Sequence, residues 1–345
     1  MNEKAIVSKD TTIKQALQLI DSLAGQTLFV VNSHNKMVGT ISDGDIRRAL
    51  INDFATSSKI EDVMLTSFKF LRSNDFSLDR LQTLKLLKIQ YVPMLNELDE
   101  IEEILDLKKL KSVLPLEAII MAGGKGTRLK PYTLTVPKPL LKINEKPIIE
   151  YNIDRLIQFG IKKIYISVNY LKEQIKDYFG DGSSKGISIE YIEENEITGT
   201  LGSATYVDSF QTNEILVMNS DLLTNINYED LYSTFLKEKS EMVVATVPYE
   251  VSIPYGVVET EGNRVASLKE KPTYTYYSNA GIYIINSLCI KEIPQKAFYN
   301  ATDLIDKLLK ENRAVINYPI IDYWLDIGKP KDFEKAQEDV KHIQF

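Results

Sequence analysis

Histidine and cysteine are scarce in this 345-residue chain, which contains two histidines and one cysteine. A single cysteine excludes a disulfide framework and any zinc or iron–sulfur site built from several cysteines, and it favours a reducing compartment. Because the only histidines are His34 and His342, the chain has few residues from which a catalytic histidine pair or a Ser–His–Asp relay could be built. We therefore expect lysine, arginine, aspartate and glutamate to carry any chemistry.

Long apolar runs and excess positive charge are also lacking. No run approaches the ~18 residues of a membrane span, and the starting segment MNEKAIVSKDTT has no signal-peptide apolar stretch. The net charge of −7 argues against a general nucleic-acid binder but is compatible with a local basic pocket for one phosphorylated ligand. The sequence predicts a cytoplasmic protein that binds neither nucleic acid nor membrane.

A weak internal repeat occupies residues 1–112 of a chain long enough for two domains. Leu17, Leu23 and Asn32 recur as Leu81, Leu87 and Asn96, a spacing of 64 residues. Each copy has the pattern of an amphipathic helix (13–23 or 78–87), a strand (27–31 or 91–95), a turn, another strand and a helix start. We expect two similar units, about 1–57 and 58–112, that bury their apolar faces together.

Residues 111–115, KSVLP, mark the predicted boundary of a second domain, 113–345. Strands and helices alternate after it. The predicted strands are 116–122, 163–168, 187–192, 215–218, 242–247, 255–260 and 281–285, and the predicted helices are 147–159 and 171–179. This pattern predicts an α/β, Rossmann-like domain with a mainly parallel sheet and an added β-rich portion, whose ligands bind at the carboxyl ends of the strands.

A glycine-rich turn, MAGGKGTRL at residues 121–129, directly follows the first of these strands. Its glycines let backbone N–H groups approach a bound anion, and Lys125 and Arg128 add positive charge. Its spacing is neither that of a Walker A loop nor that of a dinucleotide fingerprint. Ten residues after Arg128, two prolines bracket Lys138 and fix the direction of its side chain.

The paired motifs Gly-Gly-x-Gly-Thr-Arg and Pro-Lys-Pro-Leu resemble the signature of the sugar-1-phosphate nucleotidyltransferases, and the resemblance extends from about residue 116 to the C-terminus. It implies that the glycine-rich turn binds a nucleoside triphosphate, that Arg128 holds the departing phosphates and that Lys138 neutralises the reacting phosphate. The implied nucleotide-binding residues of the turn are Ala122, Gly123, Gly124, Gly126 and Thr127.

The same resemblance assigns a metal site, a sugar site and a base site. It implies that Mg²⁺ is held by Asp221, in LVMNSD, and Asp326, in WLDIG. Ser220 and Lys329 depart from the Gly and Thr that are common at these positions in the family.

The implied sugar-phosphate residues are Tyr255, Gly256, Glu270, Lys271 and Asn279. The implied base-binding residues are Gly199, Thr200 and Gly202, in a Gly-Thr-x-Gly form that favours GTP but also occurs in uridylyl and cytidylyl members.

The chemistry that this resemblance implies explains why histidine is dispensable. A sugar-1-phosphate has a second phosphate pKa near ~6, so its attacking oxygen is already ionised at neutral pH and needs no general base. The reaction instead needs cations and positioning to bring two polyanions together. Arg128, Lys138, Lys271 and a Mg²⁺ ion on Asp221 and Asp326 would meet that need.

The first repeat contains VGTISDGDIRRAL at residues 38–50, which resembles a CBS motif. In that family Ser42 and Asp45 would contact the ribose of an adenosine ligand, whereas the second copy has Asp106 and Lys109 at the matching positions. The resemblance implies a tandem CBS pair that either senses an adenine nucleotide or only joins chains into a homo-oligomer.

A CBS pair fused to such a transferase resembles the guanylyltransferases of bacterial legionaminic acid biosynthesis. That resemblance implies glucosamine-1-phosphate or its N-acetyl form as the sugar. The alternatives are mannose-1-phosphate with GTP, glucose-1-phosphate with dTTP, and a nucleotide sensor whose transferase domain is inactive. The presence of all the implied phosphate cations and metal carboxylates favours an enzyme over the sensor.

Overall fold

The structure is a computed structural model that describes residues 3–24, 26–73, 77–194, 196–343 and 345. The chain divides into two compact units, Met1–Val113 and Leu114–Phe345. Within the described residues, no helix combines the length and apolar character needed to cross a membrane.

The N-terminal unit repeats one β–α–β–β arrangement. In each copy the first strand pairs parallel with the second, and the second pairs antiparallel with the third. The strands are β1 (Ile6–Ser8), β2 (Leu28–Val31), β3 (Met37–Ile41), β4 (Leu71–Arg72), β5 (Tyr91–Leu95) and β6 (Ile101–Asp106), and the helices are α1 (Ile13–Ser22), α2 (Asp43–Ile51) and α3 (Leu78–Leu86). The predicted repeat of helix, strand, turn and strand is confirmed.

The two copies differ after their last strand, where the prediction of a helix in each copy is wrong for the second. In the first copy, Ser42 and Asp45 cap the start of α2 reciprocally, an arrangement that satisfies free N–H groups of a first helical turn. In the second copy, Asp106 accepts a hydrogen bond from the N–H of Lys108 at 3.1 Å, and a turn replaces the helix. An aspartate bonded to the backbone two residues on favours a turn over a helix.

The C-terminal unit alternates strands and helices around a central sheet. Its strands are β7 (Glu117–Met121), β8 (Lys142–Ile143), β9 (Lys146–Pro147), β10 (Lys163–Val168), β11 (Ser188–Glu193), β12 (Glu214–Asn219), β13 (Leu222–Thr224), β14 (Met242–Ser252), β15 (Val257–Glu261), β16 (Arg264–Lys269), β17 (Thr273–Asn286), β18 (Val315–Pro319) and β19 (Trp324–Asp326). Its helices are α4 (Ile148–Gln158), α5 (Lys172–Phe179), α6 (Tyr228–Lys237), α7 (Ser287–Lys291), α8 (Ala301–Lys310) and α9 (Pro330–Asp339).

The central sheet has the strand order β11–β10–β7–β12–β17–β14–β18 among the described residues. Strand β17 runs antiparallel to both neighbours and every other pairing is parallel, so the predicted mainly parallel sheet is confirmed. Strands β7, β10 and β12 are almost wholly buried, as expected of a parallel sheet covered on both faces. Their carboxyl ends lie at one edge and place the glycine-rich turn beside the turn that carries Asp221.

Strands β14 and β17 continue beyond the sheet. Their outer halves pair with each other from Val247 opposite Ser278 to Ser252 opposite Thr273, and β15 and β16 form a hairpin between them. We call residues 247–279 the arm. Most of its side chains are exposed, because only the inner halves of the two long strands have the sheet around them. The arm is the predicted β-rich addition.

Candidate active site

The glycine-rich turn packs directly against the Pro-Lys-Pro segment. Gly126 has a φ of +58°, and a Cβ there would lie 2.9 Å from Cβ of Lys138 and 3.0 Å from Cγ2 of Thr133. The hydroxyl of Thr133 donates to the Gly126 carbonyl at 2.9 Å. Glycine is therefore needed at 126 for both its backbone conformation and this close approach, which brings the two sequence motifs together.

Lys138 is buried, with 8% of its surface exposed, and its ammonium forms an ion pair with Oδ2 of Asp221. Asp221 lies in the turn after β12, and the buried side chain of Asn152, from α4, holds this turn in place. Nδ2 of Asn152 donates to the carbonyls of Ser220, at 3.3 Å, and Leu222, at 2.9 Å. The sequence prediction missed Asn152, because nothing in the pattern of α4 distinguishes it from an ordinary helical asparagine.

The second predicted carboxylate reaches the same turn from a distant part of the chain. Strand β19 pairs antiparallel with β13, so that Asp326 lies opposite Leu222, and the N–H of Ile327 donates to the carbonyl of Asp221 at 3.0 Å. Burial, and then the charge of Asp221, raise the pKa of Asp326, while Lys138 and Arg128 act in the opposite direction. The two acidic and two basic side chains therefore lie within electrostatic reach of one another.

The carboxylate pair fits a divalent cation. Within the described residues, Oδ1 of Asp326 is buried and has no hydrogen-bond partner, which is costly for a carboxylate oxygen unless a ligand satisfies it. No group of three or more His, Cys, Asp or Glu side chains placed to hold a metal occurs in this described part of the chain. A cation here would need further oxygen ligands, which Mg²⁺ commonly takes from substrate phosphates and water.

Arg128 lies in a short helical turn, Thr127–Leu129, and is exposed. A Cβ on Gly328 would lie 3.4 Å from Nη1 of Arg128, so the guanidinium contacts the segment that follows Asp326. The two departures from the family pattern flank the same carboxylates. Ser220 is buried before Asp221, and Lys329 is exposed at the start of α9, where its N–H donates to Asp332 at 2.8 Å.

A cavity of about 380 Å³ opens at the carboxyl edge of the sheet, a volume typical of small-molecule sites. Its walls combine the glycine-rich turn, the Lys138–Asp221 pair and the predicted base segment, residues 197–204. The lining residues are Met121, Gly123, Gly124, Lys138, Pro139, Glu194, Ile197, Gly199, Thr200, Asn219, Ser220, Asp221, Phe298 and Asn300. Six predicted site residues (Gly123, Gly124, Lys138, Gly199, Thr200 and Asp221) are therefore brought to one cavity.

The other predicted nucleotide residues lie behind this wall or beside it. Ala122 is buried, and its N–H donates to the carbonyl of Ser167 at 2.8 Å. Gly202 is buried so tightly that a Cβ would lie 2.2 Å from the carbonyl oxygen of Ala297. Thr127 is exposed next to Arg128. These residues shape the backbone around the cavity without lining it.

Glu194 is a buried carboxylate in the cavity wall that the sequence prediction did not include. It accepts hydrogen bonds from the hydroxyl of Ser167 and from the N–H and hydroxyl of Thr198, the last two at 2.9 and 2.7 Å. A Cβ on Gly123 would lie 3.1 Å from its Oε1. Glu194 thus links the end of β10 to the base segment and contacts the glycine-rich turn. The sequence signal that could have indicated Glu194 was its position directly after β11, at the carboxyl end of a strand.

The sugar-phosphate candidates are not in the cavity wall. Tyr255, Gly256, Glu270 and Lys271 are exposed on the arm, where a Cβ on Gly256 would lie 3.1 Å from Oε2 of Glu270. Asn279 lies at the base of the arm. Its Oδ1 accepts hydrogen bonds from Gly281 and Tyr283, both at 2.9 Å.

Ser42 and Asp45, the candidate adenosine contacts, bond mainly to each other. Oδ2 of Asp45 accepts from the N–H of Ser42 at 2.8 Å and from its hydroxyl at 2.6 Å. Oδ1 of Asp45 pairs with Arg48 at 2.5 Å. In this structure the pair serves as a helix cap.

Comparison with known proteins gives matches to both units. A model of the nucleotidyl transferase family matches residues 117–343, and a CBS domain model matches residues 1–52.

Curated relatives and solved structures match the C-terminal unit. A UTP–glucose-1-phosphate uridylyltransferase of Synechocystis is 31% identical over 67% of this chain and 66% of its own length. A D-glycero-α-D-manno-heptose 1-phosphate guanylyltransferase of Aneurinibacillus thermoaerophilus is 32% identical over 66% of this chain and 99% of its own length. A solved structure of a presumed glucose-1-phosphate thymidylyltransferase from Bacillus anthracis, in complex with sucrose, has a TM-score of 0.55 at 24% identity, over 67% of this chain and 97% of that one. The chain thus spans slightly less than two thirds of the Synechocystis relative.

Proposed function

The chain belongs to the nucleotidyl transferase family, and on that basis we propose that it is a Mg²⁺-dependent sugar-1-phosphate nucleotidyltransferase. The proposed substrates are GTP and glucosamine-1-phosphate or N-acetylglucosamine-1-phosphate, and the products are a nucleotide-sugar and pyrophosphate. The observation that carries the proposal is the meeting of Arg128, Lys138, Asp221 and Asp326 beside a glycine-rich turn. A cavity with both cations and carboxylates suits the joining of two phosphorylated substrates.

In the proposed reaction, an ionised phosphate oxygen of the sugar-1-phosphate attacks the α-phosphorus of the nucleotide in line with the leaving group. A bond forms from that oxygen to the α-phosphorus, and the bond from the α-phosphorus to the bridging oxygen breaks and releases pyrophosphate. The N–H groups of Gly123 and Gly124 bind phosphate oxygens, Lys138 neutralises the reacting phosphate, and Arg128 binds the leaving pyrophosphate bidentately. No step needs a general base.

Asp221 and Asp326 would hold the Mg²⁺ ion. When bound, the ion supplies charge neutralisation and orientation of the phosphates. The ion pair with Lys138 holds the carboxylate of Asp221 in place, and the buried Oδ1 of Asp326 is a ready ligand.

The choice of nucleotide and sugar is supported by the base segment and by resemblance. Gly199 and Thr200 line the cavity, and one relative is named a guanylyltransferase. The combination with a CBS domain supports the proposal that the chain acts as a glucosamine-1-phosphate guanylyltransferase of the legionaminic acid type. Mannose-1-phosphate with GTP and glucose-1-phosphate with dTTP are the alternatives.

We propose that the N-terminal unit is a tandem CBS pair that joins copies of this cytoplasmic protein into a homo-oligomer. The similar β–α–β–β order of its two copies supports a paired module. Because Ser42 and Asp45 already satisfy each other, an adenine nucleotide would have to compete with the helix cap.

The test crosses GTP, UTP, CTP and dTTP with the 1-phosphates of glucosamine, N-acetylglucosamine, mannose and glucose, and measures pyrophosphate release with Mg²⁺. We expect the highest kcat/KM with GTP and an amino sugar. Release in no combination would contradict the enzyme, and best turnover with dTTP and glucose-1-phosphate would reassign it. Adding AMP or ATP to the best pair tests the N-terminal unit, and unchanged kinetics and melting temperature would leave that unit structural.

A further inference from the structure

Two large apolar side chains in the cavity wall are exposed. Phe298 is 64% exposed and Ile197 is 58% exposed. Large apolar side chains are usually buried, because each Å² of apolar surface left in water costs about 25 cal/mol. Exposed apolar side chains in a concave site are a common mark of a ligand-binding surface.

The backbone that follows Phe298 is hydrogen-bonded to the predicted base segment. The N–H of Tyr299 donates to the carbonyl of Thr198 at 2.9 Å, and the N–H of Leu201 donates back to the carbonyl of Tyr299 at 2.9 Å. The N–H of Ala301 donates to the hydroxyl of Thr200 at 2.7 Å. Residues 299–301 are therefore bonded along the predicted base segment, and this bonding places Phe298 in the same cavity wall as Gly199 and Thr200.

The surroundings of Phe298 suit the flat apolar face of a nucleobase. Gly199 has a φ of +77°, and a Cβ there would lie 2.7 Å from both the carbonyl oxygen of Tyr299 and Oδ1 of Asn300. Glycine at 199 therefore lets the segment that carries Phe298 pack closely against this wall of the cavity. Lys138, proposed to neutralise the reacting phosphate, and Asp221, a proposed metal ligand, line the same cavity. A nucleotide joins a planar aromatic group to phosphates, and the cavity offers a matching surface for each part.

We propose that Phe298 is the stacking platform for the nucleobase of the triphosphate substrate, with Ile197 as a second apolar contact. The inference rests on the proposed function, since it assigns a residue to the base of the same nucleotide. Stacking on an aromatic ring accepts any base but favours the larger face of a purine. Phe298 would then strengthen binding of the nucleotide, while other groups of the site select the base.

The test compares wild type with Phe298→Ala, Phe298→Leu and Phe298→Tyr, using GTP with glucosamine-1-phosphate or whichever pair the wild type uses best. Loss of base–aromatic stacking typically weakens binding by about 5- to 100-fold. We expect KM for the triphosphate to rise by that factor in Phe298→Ala, with KM for the sugar phosphate unchanged. Phe298→Tyr should resemble wild type, and Phe298→Leu should show most of the loss.

A base-free probe separates stacking from a general structural role. Inorganic tripolyphosphate contains the phosphates without the base, so its inhibition constant should be the same for wild type and Phe298→Ala. The matched control is Leu288→Ala, which removes a similarly exposed apolar side chain, 59% exposed, from α7 outside the cavity wall. It should leave both KM values unchanged.

Two results would overturn the inference: an unchanged triphosphate KM in Phe298→Ala, or an equal weakening of tripolyphosphate. Titration calorimetry with GTP in the absence of sugar phosphate keeps the inference testable if the proposed reaction fails. Wild type that binds GTP but releases no pyrophosphate would contradict the proposed function alone. Equal GTP affinity of wild type and Phe298→Ala would contradict the stacking role alone.

Discussion

Ser42 and Asp45 in the N-terminal unit contrast with Asp221 and Asp326 in the C-terminal unit. Both pairs belong to motifs that resemble ligand sites. Asp45 accepts two hydrogen bonds from Ser42 and pairs with Arg48, so both oxygens of its carboxylate already have partners within one helix cap. Asp326 instead lies close to a like charge and, among the described residues, has a buried oxygen without a partner.

This difference separates a motif that stabilises its own fold from one that is complete only with a ligand. Polar groups that satisfy each other stabilise the protein as it stands, whereas a buried unsatisfied carboxylate beside a second one destabilises it. Functional sites are often built from such costly arrangements. Substitutions in the first pair should therefore lower stability, and substitutions in the second should lower activity.

The largest expected effect is that of Asp221→Asn on turnover. The change removes a proposed metal ligand and the partner of Lys138. We expect kcat to fall by about 100- to 1,000-fold, the usual cost of losing one group that stabilises charge in the transition state. Pyrophosphate release over a Mg²⁺ titration measures it, and wild-type rates at saturating Mg²⁺ would contradict the metal assignment.

The next effect concerns the contact between the glycine-rich turn and Lys138. Gly126→Ala combines a positive φ with a Cβ only 2.9 Å from Cβ of Lys138. We expect it to lower the free energy of unfolding by about 1–3 kcal/mol, measured by urea denaturation, and to lower activity as well.

Gly262→Ala is the matched control for that substitution. Gly262 has a φ of +61°, and a Cβ there meets no atom within 4 Å. It should show the backbone strain alone, with activity retained. Equal effects of the two substitutions would show that the contact with Lys138 contributes nothing.

A smaller effect is expected from Ser42→Ala. Loss of a helix N-cap usually costs about 1 kcal/mol, and the N-terminal unit should unfold more readily by that amount. With no adenine nucleotide added, kcat and KM should stay at wild-type values. Exposed Ser57→Ala is the control for the loss of a hydroxyl, and a change in turnover specific to Ser42→Ala would contradict the purely structural role of the cap.

Asp326→Asn is expected to raise the stability of the folded protein, whereas Gly126→Ala and Ser42→Ala should lower it. Burial and the charge of Asp221 raise the pKa of Asp326 in the folded protein, so the folded state favours the protonated form. The stability from this preference is present below the unfolded pKa and is lost as pH rises through the raised pKa. At pH 7 in EDTA the asparagine variant should therefore melt above wild type.

The difference in melting temperature should shrink as the pH is lowered toward the ordinary aspartate pKa near 3.9, where wild type is protonated as well. Adding Mg²⁺ at pH 7 should stabilise wild type more than the variant. A variant that melts below wild type in EDTA would show that Asp326 is satisfied in the free protein.

Much of the fold follows from local sequence patterns, because strands such as β7 and β10 are mainly apolar and α4 has a regular apolar face. The glycine-rich turn could be placed at the end of β7 for the same reason. Local patterns could mark Glu194 only as a charged residue directly after β11, and they could not mark Phe298 at all. Each acquires its position through contacts with residues elsewhere in the chain, such as the bonding of 299–301 to a segment about a hundred residues earlier.

The missing helix of the second repeat has a comparable cause. At the matching positions the first copy has a serine and an aspartate that cap each other, whereas the second has Asp106 and Lys109. Overall repeat similarity predicted the strands, but the identity of one capping pair decided whether a helix followed.

Strands β14 and β17 pass without a break from the central sheet into the arm, and their register shifts between Val244 and Thr246. The arm is therefore continuous with the sheet and cannot close as an independent lid. We expect any bending of the arm to occur near that irregularity. Gly281 of β17 lies in the same region and packs against Asn219 of the cavity wall. A Cβ on Gly281 would lie 2.5 Å from Nδ2 of Asn219. We therefore expect any movement of the arm to displace Asn219 and so change the shape of the cavity.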